Sequence, residues 1–161
     1  VPAEQAIALT AAVPMSEYLG AQAQNPLLIG PDEESEQWVR AIAERHHFDY
    51  AVANKQRLGD NEVRVTLPEG NYRNRNIVFV DDMVSTGHTL AEAVRQLADR
   101  QPASISVLVT HALFSGDALA RLKAAGVHHI CSTDSVPHPT NRLRLDTLLA
   151  AALGRRPAHD Q

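Results

Sequence analysis

A single cysteine, Cys131, stands among 161 residues, which rules out an internal disulfide. No apolar run approaches the ~20 residues that a membrane-spanning helix requires. Neither sign of charge dominates: 15 Lys and Arg oppose 19 Asp and Glu, for a net charge of −4. That balance gives no general attraction to nucleic acid or to an anionic membrane surface. The first residues lack a basic region leading into a hydrophobic one, and no internal repeat or low-complexity segment occurs. Together these absences lead to the expectation of a cytoplasmic protein. The eight histidines form no metal-ligand constellation, so His46-His47 and His128-His129 read as surface or packing residues. No glycine-rich loop follows the first strand candidate, as a generic nucleotide-binding domain would want. What is present is ordinary globular composition, 44% hydrophobic and 21% charged. The length suits one core, read as a single domain over 1–153 with a flexible tail over 154–161.

Strand and helix patterns alternate along the chain. A helix is expected around Pro14 to Ala21, then a short buried strand at Pro26 to Gly30, then a helix with Trp38, Val39, Ile42 and Ala43 on one face. Tyr50 to Ala53 is the next strand candidate. A stretch alternating from Glu62 to Leu67 and flanked by turn formers predicts a flexible loop or exposed ribbon around 56–73. Strands follow at Ile77 to Val80 and Ile105 to Thr110. A helix over Asp117 to Ala125 stops at Gly126, and a further strand, VHHIC, precedes a last strand-helix stretch from Leu143 to Leu153. This order predicts an α/β fold with a mostly parallel central sheet and helices on both faces.

The richest stretch runs from Asn76 to Leu97, NIVFVDDMVSTGHTLAEAVRQL. Ile77 to Val80 suit a strand buried on both faces. Asp81 and Asp82 are placed where that strand ends, and Ser85, Thr86, Gly87, His88 and Thr89 form a polar loop into a helix. Ligands of open α/β sheets bind at the carboxyl ends of strands. A helix start offers unpaired N–H groups and the positive end of its dipole, which favour a phosphate. Gly87 lets the backbone curl close to an anion, and hydroxyls add donors. The carboxylates suit a different partner, either ribose hydroxyls or a Mg²⁺ with oxygen ligands. Acids beside a phosphate cradle point to a sugar phosphate.

Outside this stretch, Asp32 has two readings of equal weight: a helix cap with Glu33, Glu34 and Glu36 favourable to the dipole, or a metal ligand. Lys55 and Arg57 share a side if the segment is extended. Either they are a solvated strand end, or, near a phosphate site, they neutralise charge on a transferring group.

VFVDDMVSTGHT resembles the phosphoribosyl diphosphate (PRPP) motif of the type I phosphoribosyltransferase fold. GPDEES at Gly30 to Ser35, NKQR at Asn54 to Arg57, THALFSG at Thr110 to Gly116 and TDSVP at Thr133 to Pro137 resemble, in order, elements of ribose-phosphate diphosphokinase (PRPP synthetase), C-terminal half. The resemblance spans roughly Ala11 to Leu149. It implies diphosphoryl transfer from Mg-ATP to the C1 hydroxyl of ribose 5-phosphate, within an enzyme that is a homo-oligomer at full length. By match, Ser85, Thr86, Gly87, His88 and Thr89 would hold the 5-phosphate, and Asp81 and Asp82 the ribose hydroxyls or their Mg²⁺. Lys55 and Arg57 would stabilise the transition state, and Asp32 would lie at a Mg²⁺ site near the ATP phosphates.

There are two departures from the pattern: Glu33, Glu34 and Ser35 stand where the family commonly has glycines, and His88 replaces a more usual glycine. Carboxylates at 33 and 34 would repel a bare pyrophosphate unless a metal intervenes. The family enzyme also has two similar halves, and only one is represented. The competing expectations are a PRPP-consuming phosphoribosyltransferase, for which no nucleobase hood is evident, and a non-catalytic relative, which would be expected to lose the lysine or the acidic pair.

Overall fold

Nine-residue strands at the centre of the chain organise the computed structural model, which describes residues 7–22, 25–57 and 63–154. In chain order the elements are α1 (Ala12–Gln22), β1 (Leu27–Gly30), α2 (Glu36–His46), β2 (Asp49–Val52), β3 (Asn54–Arg57) and β4 (Val63–Thr66). They continue with β5 (Asn76–Val84), α3 (His88–Arg95), β6 (Ser104–Ala112), α4 (Ala118–Ala125), β7 (His129–Thr133), β8 (Asn141–Leu143) and α5 (Asp146–Gly154). Six strands form one sheet in the order β2-β1-β5-β6-β7-β8, with every neighbouring pair parallel. The expected α/β architecture is therefore present. The tail expected over 154–161 lies, apart from Gly154, outside the described residues. Among the described residues no helix is long and apolar enough to cross a membrane.

Alternation along β5 explains why its apolar run is continuous. Val78 and Val80 face one side, where Leu28 and Leu108 join Met15 and Leu19 of α1 and Val39, Ile42 and Ala43 of α2. Ile77 and Phe79 face the other, against Leu90, Ala91, Ala93 and Val94 of α3 and Leu122 of α4. A side-chain period of two serves both layers at once only if every position is apolar.

Two features differ from the sequence reading in ways that shape the site. The central strand does not end at the aspartates but runs on to Val84, because β6 is equally long. Asp81 pairs with Val109, Met83 with His111 and Val84 with Ala112. Backbone partners on that side override the low strand propensity of Asp, and Val84 anchors the extension in the core. The ribbon is also less exposed than expected. β3 and β4 pair antiparallel, Asn54 with Thr66 and Lys55 with Val65, but Ala53, Val65 and Leu67 are buried in the α3-side core. Gln96, at the end of α3, donates to the Val65 carbonyl and accepts from the Leu67 N–H at 3.1 Å, fastening the ribbon to that helix. Residues 58–62 at the ribbon's tip lie outside the described residues.

Phe79 is fully buried and is the largest such side chain in the core. Phe79→Ala is expected to lower the unfolding free energy by about 3–5 kcal/mol through lost transfer energy and a residual cavity. Urea denaturation checks this: a midpoint lowered by less than the equivalent of about 1 kcal/mol would show that the core collapses into the space.

Candidate functional site

β1 stops at Gly30 while β5 continues to Val84, so one side of the extension has no strand beside it. A cavity of about 460 Å³ fills this corner. It is lined by Asp32, Glu34, Lys55, Asp81 and Asp82 and by every residue from Ser85 to Thr89, of which His88 and Thr89 are not loop, as the sequence reading had them, but the first residues of α3. Nine of the ten residues singled out from the sequence thus meet in one place. For the tenth, Arg57, only the backbone, in β3, is among the described residues.

The loop half of the cavity carries a helix start, whose chemistry suits an anion. Gly87 precedes α3 with φ 70°, a left-handed conformation that side chains resist, and no side chain caps the helix start. A Cβ on Gly87 would meet Leu122 Cγ at 3.4 Å, an ordinary van der Waals contact, so it is φ rather than lack of space that favours glycine. The first-turn N–H groups are left for a ligand or solvent. Ser115 N–H donates to the Ser85 carbonyl at 3.1 Å, and the two serine hydroxyls lie 3.3 Å apart. Arg121 donates to the Thr86 carbonyl.

The opposite half is acidic. Asp81 is pushed up to about 7, first by burial and then by the charges of Asp32 and Asp82. Asp32 is a cap, as one of its two readings holds: Oδ1 accepts from the Ser35 N–H at 3.2 Å, and the Ser35 hydroxyl completes a capping box. Its other oxygen, Oδ2, accepts from Lys55 Nζ at 3.1 Å. Among the described residues no three His, Cys, Asp or Glu side chains converge tightly enough to hold a metal by themselves. The acids nevertheless suit Mg²⁺, which takes one or two carboxylates and completes its shell with water and substrate oxygens. The repulsion that burdens Asp81 is what such a cation would relieve.

The remaining motifs brace the site from behind. Thr133 Oγ1 and Ser135 Oγ both donate to the Thr110 carbonyl, at 2.7 and 2.9 Å, and His111 Nδ1 lies 2.9 Å from Ser135 Oγ. These contacts tie the end of β6 to the turn after β7. Trp38 and Asp82 form a wall shared with a smaller cavity of about 210 Å³, which Thr110 and His111 also line. Sequence reasoning gave Ser115 no site role and passed over Arg121. Ser115 lay within a quoted motif, but nothing in the spacing of Arg121 marked it, since its contact closes across 35 residues.

The unliganded protein carries a testable signature of Asp81. Its carboxyl holds a proton to about pH 7 when folded but only to about 3.8 in its ordinary state. The folded state therefore binds the extra proton between those values, and this group lowers stability as pH rises through that window. Asp81→Asn is expected to raise the melting temperature at pH 8 and leave it unchanged at pH 3.5. A gain of equal size at both pH values would refute the electrostatic cause.

Comparisons with known proteins show the family and the fold of the chain. The phosphoribosyl transferase domain matches residues 3–131. The chain is 34% identical over 155 residues to the ribose-phosphate pyrophosphokinase of Methanopyrus kandleri, covering 95% of this chain and 52% of that protein. It is 34% identical over 151 residues to the protein of the same name from Methanosarcina acetivorans, covering 93% and 53%. The chain thus spans about half the length of the curated relatives it matches. Among solved structures it resembles phosphoribosylpyrophosphate synthetase from Mycobacterium smegmatis, with a TM-score of 0.73 and 23% identity over 89% of this chain and 49% of that one. A hypoxanthine-guanine phosphoribosyltransferase from Bacillus anthracis superposes with a TM-score of 0.51 and 13% identity, over 66% of this chain and 73% of that one. At these identities both structures speak for the fold.

Proposed function

Because the chain belongs to the phosphoribosyl transferase domain family, we propose that it is the acceptor-binding, C-terminal half of a ribose-phosphate pyrophosphokinase. Its ligands are ribose 5-phosphate and, with the rest of such an enzyme, Mg-ATP, and its setting is cytoplasmic. The observation that carries this reading is the single cavity in which an uncapped helix start faces two aspartates, with Lys55 at its rim. One end suits a phosphate and the other suits sugar hydroxyls, at a spacing that one loop spans.

In this reading Ser85, Thr86, Gly87, His88 and Thr89 bind the 5-phosphate. Asp81 and Asp82 accept hydrogen bonds from the ribose hydroxyls and orient the C1 hydroxyl. That oxygen attacks the β-phosphorus of ATP, forming the new O–P bond as the bond from the β-phosphorus to the bridging oxygen breaks. AMP leaves with that oxygen, and the hydroxyl proton passes to solvent or a neighbouring carboxylate. Lys55 lies where it can spread charge from the transferring group, once freed from Asp32. Arg57 joins it in this role. Asp32, with Asp81 or Asp82, would hold Mg²⁺, which when bound neutralises phosphoryl oxygens.

A second reading is binding without transfer, and one observation favours it. The loop after β1 spends its Ser35 N–H on its own cap and presents Glu34 to the cavity. Such a loop has little left for a diphosphate. Calorimetric titration with ribose 5-phosphate and then Mg-ATP, with PRPP assayed in the same samples, separates the two. Binding of the sugar phosphate alone supports an acceptor half, while product formation establishes a complete enzyme. Failure to bind ribose 5-phosphate would remove the central reading. In an active assembly, Lys55→Ala is expected to cut turnover at least about 100-fold, as loss of a charge-stabilising group does, and to change ribose 5-phosphate affinity by less than about threefold, under 1 kcal/mol. Equal losses in both would count against Lys55 as the transition-state cation.

A further inference from the structure

The loop that lines the anion end of the cavity is held from outside by two donors that do not themselves line it. Ser115 N–H, in the turn after β6, donates to the Ser85 carbonyl at 3.1 Å. Arg121 Nη1, on α4, donates to the Thr86 carbonyl. The guanidinium is itself fixed: its Nη2 lies 2.6 Å from Asp117 Oδ1, and the side chain is only 19% exposed. Asp117 is four residues back, at the cap position immediately before α4, so the pair spans the first turn of that helix.

Peptide geometry turns these anchors into a directional device. No peptide bond among the described residues is cis. In a trans peptide plane the C=O and the N–H point in opposite directions. A Ser85 carbonyl drawn toward Ser115 sends the Thr86 N–H the other way. A Thr86 carbonyl drawn toward Arg121 does the same for the Gly87 N–H. Ser85, Thr86 and Gly87 all line the cavity, whereas Ser115, Asp117 and Arg121 lie outside it. The N–H groups are thereby turned toward the place where an anion would sit.

We infer that Arg121 is a positioning residue for phosphate binding, aiming the Gly87 N–H into the cavity by pinning the Thr86 carbonyl. This deepens the proposed function and rests on it, since the anion is taken to be the 5-phosphate of the sugar. Arg121 makes no contact with the ligand. Its contribution is that the loop need not reorganise on binding, and a pre-oriented donor loses less entropy than a free one.

The experiment follows the Gly87 amide by ¹⁵N NMR in the full chain, titrated with inorganic phosphate and with ribose 5-phosphate, with affinities from calorimetry. In the unaltered protein the Gly87 amide shifts with both. In Arg121→Ala the amide response is lost and ribose 5-phosphate affinity falls roughly tenfold or more, the scale of one charge-assisted hydrogen bond. Arg121→Lys restores part of both, and Asp117→Asn loosens both by a smaller factor. Spectra unchanged away from the loop establish that each variant is folded. If Arg121→Ala does not fold, Arg121→Lys and Asp117→Asn decide, and native Gly87 response with affinity unchanged in both overturns the proposal. A folded Arg121→Ala that keeps the Gly87 response and binds within about twofold, under 0.5 kcal/mol, overturns it directly. Ribose 5-phosphate binding without any Gly87 response in the unaltered protein overturns the aiming role and leaves the proposed function standing. Absence of binding in the unaltered protein overturns both.

Discussion

The pairing of β5 with β6 beyond the end of β1 is the constraint on which the site depends. β6 supplies backbone partners as far as Ala112, so β5 is carried four residues past Val80 with nothing beside it on the β1 side. This overhang projects Asp81 and Asp82 into a corner and leaves space beside them. A central strand ending with β1 would leave the aspartates on a solvated turn, where burial could not raise the Asp81 carboxyl. The electrostatic tension at Asp81 is thus a consequence of sheet geometry, and it is increased by the charge of Asp32, which arrives on the loop after β1.

Helix α3 joins the two halves of the cavity mechanically. Its first turn lines the loop end of the cavity, and its last turn, through Gln96 and the apolar contacts of Val65 and Leu67, carries the ribbon. Lys55 is on that ribbon, paired in register with Val65. The cation and the phosphate loop are therefore referenced to one rigid element rather than to separate loops. The Lys55–Asp32 ion pair closes the ring by linking the ribbon to the β1 loop. Both partners are mostly sheltered, so the pair is screened less than a surface bridge, and either would feel a cation or phosphate arriving at the other.

Much of this was legible in the linear chain. The four apolar residues from Ile77, two acids and a Ser-Thr-Gly loop specify strand, carboxylates and helix start in an order with one chemical meaning, because these signals are local. Side-chain period, loop stereochemistry and orphan N–H groups all act within a few residues. The same locality explains why the alternation from Glu62 to Leu67 identified a strand, and why Gly126 marked the end of α4. Nine candidate residues met in one cavity because the segments that carry them all lie at or follow the carboxyl ends of β1, β2 and β5 in a parallel sheet.

What the chain order left open was decided by contacts between distant segments. The strand's extension past the aspartates required a neighbour as long as β6, and Asp propensity argued the other way. The burial of one edge of the ribbon required α3 beneath it, which alternation near turn formers cannot reveal. Asp32 could cap or coordinate on local evidence, and only the fold brought Lys55 to its second oxygen. Arg121 carried no local signal at all, because a guanidinium reaching a carbonyl 35 residues away has no period or spacing. The amino-acid sequence by itself determined the elements and the chemistry they carry, since those follow from short-range sterics and hydrogen bonding. Tertiary structure alone determined which carboxylate is strained, which cation is paired and which way the phosphate loop faces, because charge and peptide orientation respond to whatever packing brings within a few ångströms.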